Sequence, residues 1–303
     1  MPLQSDRPVA VFVHVHYLDV WQDMARLLEE RLQIPFRLLI TSSLPVTEFA
    51  EPQTAFLRGI TVIRVENRGR DIRPFLMALD EADDFATGLK LHTKRSTHRL
   101  HGKAWRDGIL TSLLPAAPAA AALARVFDDH LAIGQLAPRG CLLGAEEWIE
   151  GNRAWMERVA TLLNRPLTQA DWGRGAFAAG SMFWFRRDAI ASLADPRLFD
   201  LFEEENGQTD GTLAHAIERL FSMMAAKDGY QILSTASVPS LRPGLSPSEL
   251  FALSQVDRAE VGPLFRIRPA ARLVARHAPF LLKAYSRMPG ALRSRLRNLV
   301  ARD

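Results

Sequence analysis

Apolar residues along this chain follow two rhythms, short unbroken runs and one-face helical spacing. Val9-Ala-Val-Phe-Val-His-Val15 carries β-branched and aromatic residues with no helical period, which reads as a buried strand. Asp19 is placed to cap a helix running to about Leu32, with Trp21, Met24 and Leu28 on one face. Phe36–Ile40 and Ile60–Val65 read as further strands, followed by Thr41-Ser42-Ser43 and by the polar turn Glu66–Asp71. Asp71 is an N-cap candidate for the next helix, where Pro74 falls in the first turn and Phe75, Leu76 and Leu79 form the inner face. Gly88–His92 is a fourth strand, with Thr93–Thr97 the loop beyond it. Ala104 to about His130 is helical, Leu131–Leu136 a strand, Glu146–Leu163 a helix and Ala178–Phe185 a strand opened by small residues. Thr212–Met224 is a helix with Leu213, Ile217, Leu220 and Phe221 at core spacing, and Gln231–Ser234 a closing strand.

Strands alternating with helices predict an α/β domain with a mainly parallel sheet flanked by helices on both faces. Beyond Pro239 the composition shifts to Pro and Ser, then to an arginine-rich helical pattern, which divides the chain into a domain at 1–240 and a tail at 241–303. With 48% hydrophobic residues over 303 positions the chain can bury a sizeable core, so global disorder is excluded. Cys141 is the single cysteine, which rules out an intrachain disulfide and fits a reducing compartment. The first residues lack the apolar core of a signal peptide, and the longest apolar stretch, around Pro115–Ala124, is too short to span a bilayer. A cytoplasmic protein is expected. The net charge of +4 is mild, and the basic residues are not interleaved with aromatics along one face, so no nucleic-acid partner is expected.

In a parallel sheet the loops after the strands gather on one edge, where ligands of open α/β folds bind. Three polar segments follow predicted strands: His14-Val-His-Tyr17, Asn67-Arg-Gly-Arg-Asp71 and His92-Thr-Lys-Arg-Ser96. Gly69 permits a tight turn, and the helix after Asp71 would present unpaired N–H groups to an anion. Arg68, Arg70, Arg73, Lys94 and Arg95 would surround the same space with cationic donors, the chemistry that holds a diphosphate. Asp71 would cap the helix, orient one of these arginines or accept from a ribose hydroxyl. His14 and His16, two apart on a strand, have the spacing of a metal pair, but the only nearby carboxylate, Asp19, serves better as a helix cap. No metal site is expected.

Asn67-Arg-Gly-Arg-Asp71 with Pro74-Phe-Leu76, Lys90-Leu-His-Thr-Lys-Arg-Ser96, Gly102 with Trp105-Arg106, Ala179-Gly-Ser-Met-Phe-Trp-Phe185 and Gln208-Thr-Asp-Gly-Thr-Leu-Ala-His215 together resemble the rhamnan synthesis protein F family, over about residues 9–235. The resemblance implies a Rossmann-like, GT-A-type glycosyltransferase of bacterial surface-polysaccharide synthesis. Its donor would be a nucleotide sugar, dTDP-rhamnose, and its acceptor a growing or lipid-linked glycan, made alongside other polysaccharide-synthesis transferases. GT-A enzymes usually carry Asp-x-Asp after the fourth strand to hold a divalent metal. This chain has His92-Thr-Lys94 there, so Lys94 would neutralise the leaving diphosphate without a metal. An inverting transfer needs a carboxylate base, and Asp210 is the candidate, with Glu204 and Glu205 in reserve. Gly180, Ser181 and Trp184, with Glu205, would line the sugar or acceptor pocket, Trp184 stacking on a sugar face.

From Pro269 to Asp303 eight basic residues face Asp303 alone, a net of about +7, and apolar residues interleave with them. Such segments lie on anionic membrane faces, here the inner face of the plasma membrane, or form a helical hairpin turned at Pro289-Gly290. Two other functions compete with a transferase. One is a non-catalytic subunit that binds a sugar nucleotide or carbohydrate for another transferase. The other is a metal-dependent hydrolase built on His14, His16, Asp210 and His215.

Overall fold

The computed structural model describes residues 7–45, 49–93, 102–145, 148–149, 151–208 and 210–262. In chain order the elements are β1 (Val9–His14), α1 (Leu18–Arg31), β2 (Phe36–Ser42), β3 (Leu57–Arg64), α2 (Ile72–Glu81), β4 (Thr87–His92), α3 (Gly102–Leu113), α4 (Ala117–Asp129), β5 (Ile133–Ala137) and β6 (Leu142–Gly144). They continue with α5 (Arg153–Leu162), α6 (Gln169–Arg174), β7 (Ala176–Ala178), β8 (Phe183–Arg186), α7 (Arg187–Ile190), α8 (Leu213–Lys227), β9 (Gln231–Ser234) and α9 (Pro247–Ala259).

Seven strands form one sheet in the order β3-β2-β1-β4-β8-β5-β9, and β6 pairs with β7 in a small second sheet. β1 to β4 are parallel, β8 runs antiparallel to both β4 and β5, and β9 is parallel to β5. All strands of the large sheet but β8 therefore point the same way, in a Rossmann-like α/β arrangement with helices on both faces. The chain moves outward from β1 through β2 to β3, then returns to place β4 on the other side of β1. That reversal makes the carboxyl ends of β1 and β4 the topological switch point, the crevice where open α/β sheets bind ligands.

Period-two alternation on β8 shows how the layers form. Phe183 and Phe185 meet Phe75 of α2 and join Phe12, Phe85 and Phe221 in an aromatic core, with Phe12 and Phe75 edge to face at 5.3 Å. Trp184 points the other way and donates its indole N–H to the Leu113 carbonyl at the end of α3, 2.8 Å away. Trp184 has no exposed surface, so it anchors the sheet and cannot stack on a sugar; the pocket role expected for it is corrected.

Several expected elements shift. Tyr17, not Asp19, is the N-cap of α1, and Asp19 lies in the first turn, where its charge suits the helix dipole. The predicted strand Ala178–Phe185 is two strands separated by a turn at Gly180 and Ser181. Among the described residues, the helix expected over Glu146–Leu163 contains α5, Arg153–Leu162. The sequence boundary puts α9 in the tail, but the compact unit runs to Val261, and Asp257 of α9 accepts from the backbone N–H and hydroxyl of Ser234, at 2.6 and 2.8 Å. α9 therefore belongs with the domain. Residues 263–303 lie outside the described residues.

Candidate functional site

His14 and His92 are the last residues of β1 and β4 and are register partners across the switch point. Thr93 closes the junction behind them: its hydroxyl accepts from the backbone N–H groups of His16 and Tyr17, at 2.8 and 3.0 Å. His14 Nδ1 lies 3.1 Å from the Thr41 hydroxyl at the end of β2, and His92 Nε2 donates to the Gly180 carbonyl at 2.9 Å. Because β8 is reversed, the Gly180–Ser181 turn just before it also stands at this carboxyl edge.

That turn is held by ionisable side chains from two elements. Glu218 of α8 accepts from the Gly180 N–H at 2.9 Å. Lys90 of β4 donates to both the carbonyl and the hydroxyl of Ser181, each at 2.7 Å, and to the Asp71 carboxylate at 2.5 Å. Lys90 is 1% exposed and lies over the rings of Phe75, Phe183 and Phe221. Gly180 has φ 93°, and a Cβ there would stand 3.1 Å from the half-buried Trp105 ring, so glycine is needed for both conformation and space. Among the described residues three non-glycine residues have positive φ; Arg70 and Ser181, both at 56°, belong to this region. Such strain persists only where the surroundings over-determine it, and it gathers at functional sites.

The start of α8 sets the surroundings of Asp210. Thr212 is its N-cap and pairs with the His215 ring in a capping box, while Glu203 accepts from the Leu213 N–H at 3.0 Å. Asp210 is thereby released from any capping duty. Its carboxylate is half exposed, accepts from the Asn152 amide at 2.9 Å and lies 3.7 Å from Arg219. Arg219 also reaches Glu218 at 3.4 Å, which links Asp210 through these two residues to the Gly180 turn.

The arginine cluster turns inward instead of opening to a ligand. Arg68 donates to the carbonyls of Phe202 and Asp200, at 2.7 and 3.2 Å, and Arg73 to that of Phe199 at 3.0 Å. Arg70 donates to the Gln208 carbonyl, and its backbone N–H reaches Glu205 at 2.9 Å. These residues staple the 199–208 loop to the start of α2, and Glu205 is part of the staple. Gly69, at φ 69°, makes room for the chain's own Phe202, whose ring would be 2.5 Å from a Cβ there. The expected anion-binding helix end is likewise corrected: the N–H groups of Ile72 and Arg73 already donate to the Gly69 carbonyl, and Pro74 has none. Asp71 holds the N-cap position but directs its carboxylate to Lys90, with no capping bond. Asn67 is exposed at the rim. Lys94 and Arg95 lie outside the described residues.

Among the described residues no three His, Cys, Asp or Glu side chains are grouped to hold a metal ion. His16 packs edge-on against Tyr17, and His215 is occupied as a cap, so the hydrolase constellation does not assemble. Sequence reasoning gives no site role to Lys90, Glu218, Arg219, Asn152 or Trp105. Lys90 carries the clearest signal of the five, a cation between two leucines in a short strand.

Burial lowers the His14 imidazole to a pKa of about 4; the Asp71 carboxylate pulls upward, while His92, His16 and Lys90 push down with burial. The folded form therefore keeps His14 neutral through a range in which the unfolded chain, near 6.5, binds a proton. Stability from this group is complete above about pH 6.5 and falls as the pH drops towards 4, by up to about 3 kcal/mol. His14→Gln should flatten the loss of unfolding free energy between pH 6.5 and about 5, a window in which few carboxylates titrate. An unchanged slope would assign the loss to other groups.

Comparison with known proteins adds the relationship. A family model described as "Rhamnan synthesis protein F" matches residues 2–230. Two proteins, each described as "Uncharacterized protein WxcX", from Xanthomonas campestris pv. campestris strains B100 and ATCC 33913, are 38% identical over 245 residues. The matched region covers 77% of this chain and 34% of each relative, so the chain spans about a third of their length.

Proposed function

The chain belongs to the rhamnan synthesis protein F family, which ties it to polysaccharide synthesis, and from that premise we propose that it is a glycosyltransferase working at the carboxyl edge of its sheet. In this reading the fold is of GT-A type and the donor is a nucleotide sugar, with dTDP-rhamnose the first candidate. The nucleotide lies across the switch point at His14 and His92, and Lys94, which comes directly after Thr93, meets the leaving diphosphate. The sugar faces the Gly180–Ser181 turn beside Trp105, which takes over the stacking role first assigned to Trp184. Asp210 removes the proton from an acceptor hydroxyl as that oxygen attacks the anomeric carbon, and the nucleoside diphosphate departs. The acceptor is a growing or lipid-linked glycan.

The observation that carries this reading is the release of Asp210. Thr212 and Glu203 meet the needs of the α8 N-terminus, and Asn152 and Arg219 hold a half-exposed carboxylate that Arg219 and Glu218 connect to the strained turn at the switch point. The test is release of nucleoside diphosphate from a panel of sugar nucleotides with and without glycan acceptors. Acceptor-dependent release supports transfer. Donor binding without release under any acceptor supports the second reading, a non-catalytic sugar-nucleotide subunit. That alternative rests on the sequence His92-Thr-Lys94 standing where GT-A enzymes carry Asp-x-Asp.

A further inference from the structure

Asn152 stands at the N-cap of α5, where an asparagine side chain ordinarily accepts from the first turn of its own helix, yet it makes no such bond. The side chain is wholly buried and is spent on another segment. Its amide nitrogen donates to Asp210 Oδ1 at 2.9 Å, and its oxygen accepts from the Gly211 N–H at 3.2 Å. A helix thus gives up its side-chain cap so that a loop 58 residues further on is held.

Arg219 is held just as firmly, at 7% exposure. Its Nε donates to the Trp148 carbonyl at 2.9 Å and one terminal nitrogen to the His215 carbonyl at 2.7 Å, while the guanidinium lies 4.9 Å from the centre of the Phe177 ring. Because the guanidinium is planar, those two bonds set the direction of the remaining nitrogen, which faces Asp210 Oδ1 at 3.7 Å.

Both partners therefore take the same oxygen. Among the described residues nothing bonds to Asp210 Oδ2. Gly151 lies beside that oxygen: a Cβ there would stand 3.3 Å from Oδ2, tighter than an ordinary contact. Gly151 is exposed and its φ is not positive, so its backbone conformation does not demand glycine. Open space beside Oδ2 is what it supplies.

We propose that Asn152 and Arg219 are positioning residues that hold Asp210 by Oδ1, and that the acceptor hydroxyl reaches Oδ2 across Gly151. The proposal rests on the reading of Asp210 as the base, and adds the oxygen that acts and the side from which the acceptor comes. The proton passes from the acceptor hydroxyl to Oδ2 as the acceptor oxygen bonds to the anomeric carbon. The bond from that carbon to the nucleoside diphosphate breaks, and the diphosphate leaves with the electron pair. Glu218 extends the same hold to the donor side, since it accepts from the Gly180 N–H at 2.9 Å and lies 3.4 Å from Arg219.

The experiment measures acceptor-dependent release of nucleoside diphosphate, donor binding and thermal unfolding for Gly151→Ala, Arg219→Lys, Asp210→Asn and the last two combined. One added carbon in a binding space is worth about 10–200-fold, so Gly151→Ala should lower kcat/KM for the acceptor at least about tenfold, with donor affinity and unfolding unmoved. Arg219→Lys keeps the charge but cannot bond both carbonyls while facing Oδ1. A base displaced by about 1 Å loses about a hundredfold in kcat, and the acceptor KM should hardly move. In the Asp210→Asn background the same substitution should cost almost nothing more, because its effect passes through the carboxylate. If Arg219→Lys does not fold, Asn152→Ser in the same two backgrounds carries the positioning test. Full acceptor use by Gly151→Ala would overturn the approach path. A loss from the positioning variant that is absent, or that repeats in full on Asp210→Asn, would overturn the hold on Oδ1. Undiminished turnover in Asp210→Asn alone, or no release from the unsubstituted chain with any acceptor, is the separate result that removes the reading of Asp210 as base and this inference with it.

Discussion

Lys90→Met is expected to cost the domain about 3–5 kcal/mol, because it removes one partner of a buried ion pair. Three bonds converge on this ammonium, from Asp71 and from the carbonyl and hydroxyl of Ser181, and methionine replaces none of them. The Asp71 carboxylate, only 15% exposed, would lose the Lys90 ammonium, and the strained Ser181 would lose both of its contacts to Lys90. For a domain of this size the loss corresponds to a fall in melting temperature of roughly 10 °C. Adding Asp71→Leu to Lys90→Met should recover part of it, since a buried pair replaced by apolar residues is often near neutral. Thermal or urea unfolding of the two single variants and the double variant decides the matter. A loss below about 1 kcal/mol for Lys90→Met, or additive losses in the double variant, would show that the pair does not hold the turn.

Asp210→Asn is expected to lower turnover by a factor of about 10²–10⁴, the usual span for removal of a general base. Stability should hardly change. The new amide keeps an oxygen for the Asn152 bond, and the side chain is half exposed, so neither packing nor a cap is lost. Donor affinity should likewise stay close to that of the unsubstituted chain, because Asp210 is proposed to act on the acceptor. Unfolding, donor titration and diphosphate release measured on the same preparation separate these effects. Full turnover in the variant would remove Asp210 from the chemistry.

The chain announces its fold more clearly than its site. β1 and β9 are legible because β-branched and aromatic residues run on without a helical period, and α8 because Leu213, Ile217, Leu220 and Phe221 recur on one face. The break between β7 and β8 is hidden, since Ala179, Gly180 and Ser181 suit a strand's small-residue opening as well as a turn; only positive φ distinguishes them. Charge is legible and its use is not. Arg68 and Arg73 look like anion donors in sequence, yet their partners are carbonyls more than 120 residues further on, a pairing that local pattern cannot express. Lys90 shows the same limit from the other side. A lysine between leucines is surface-facing on an edge strand, and β4 turns out to be central, with β1 and β8 on either side. The resemblance motifs include Lys90, Gly180 and Asp210 without saying which of their residues touch one another.

A hollow of about 480 Å³ lies at the amino edge of the sheet, away from the switch point, where Arg37 and Arg58 stand among Glu81, Asp83 and Asp84, and it is the rival position for a ligand. The most direct measurement is therefore a crystal structure of the chain with a sugar nucleotide bound. The account predicts the diphosphate beside His92 and Thr93, with the sugar turned towards the Gly180–Ser181 turn and Asp210. A nucleotide seated between Arg37 and Arg58, with nothing bound at the carboxyl edge, would contradict it.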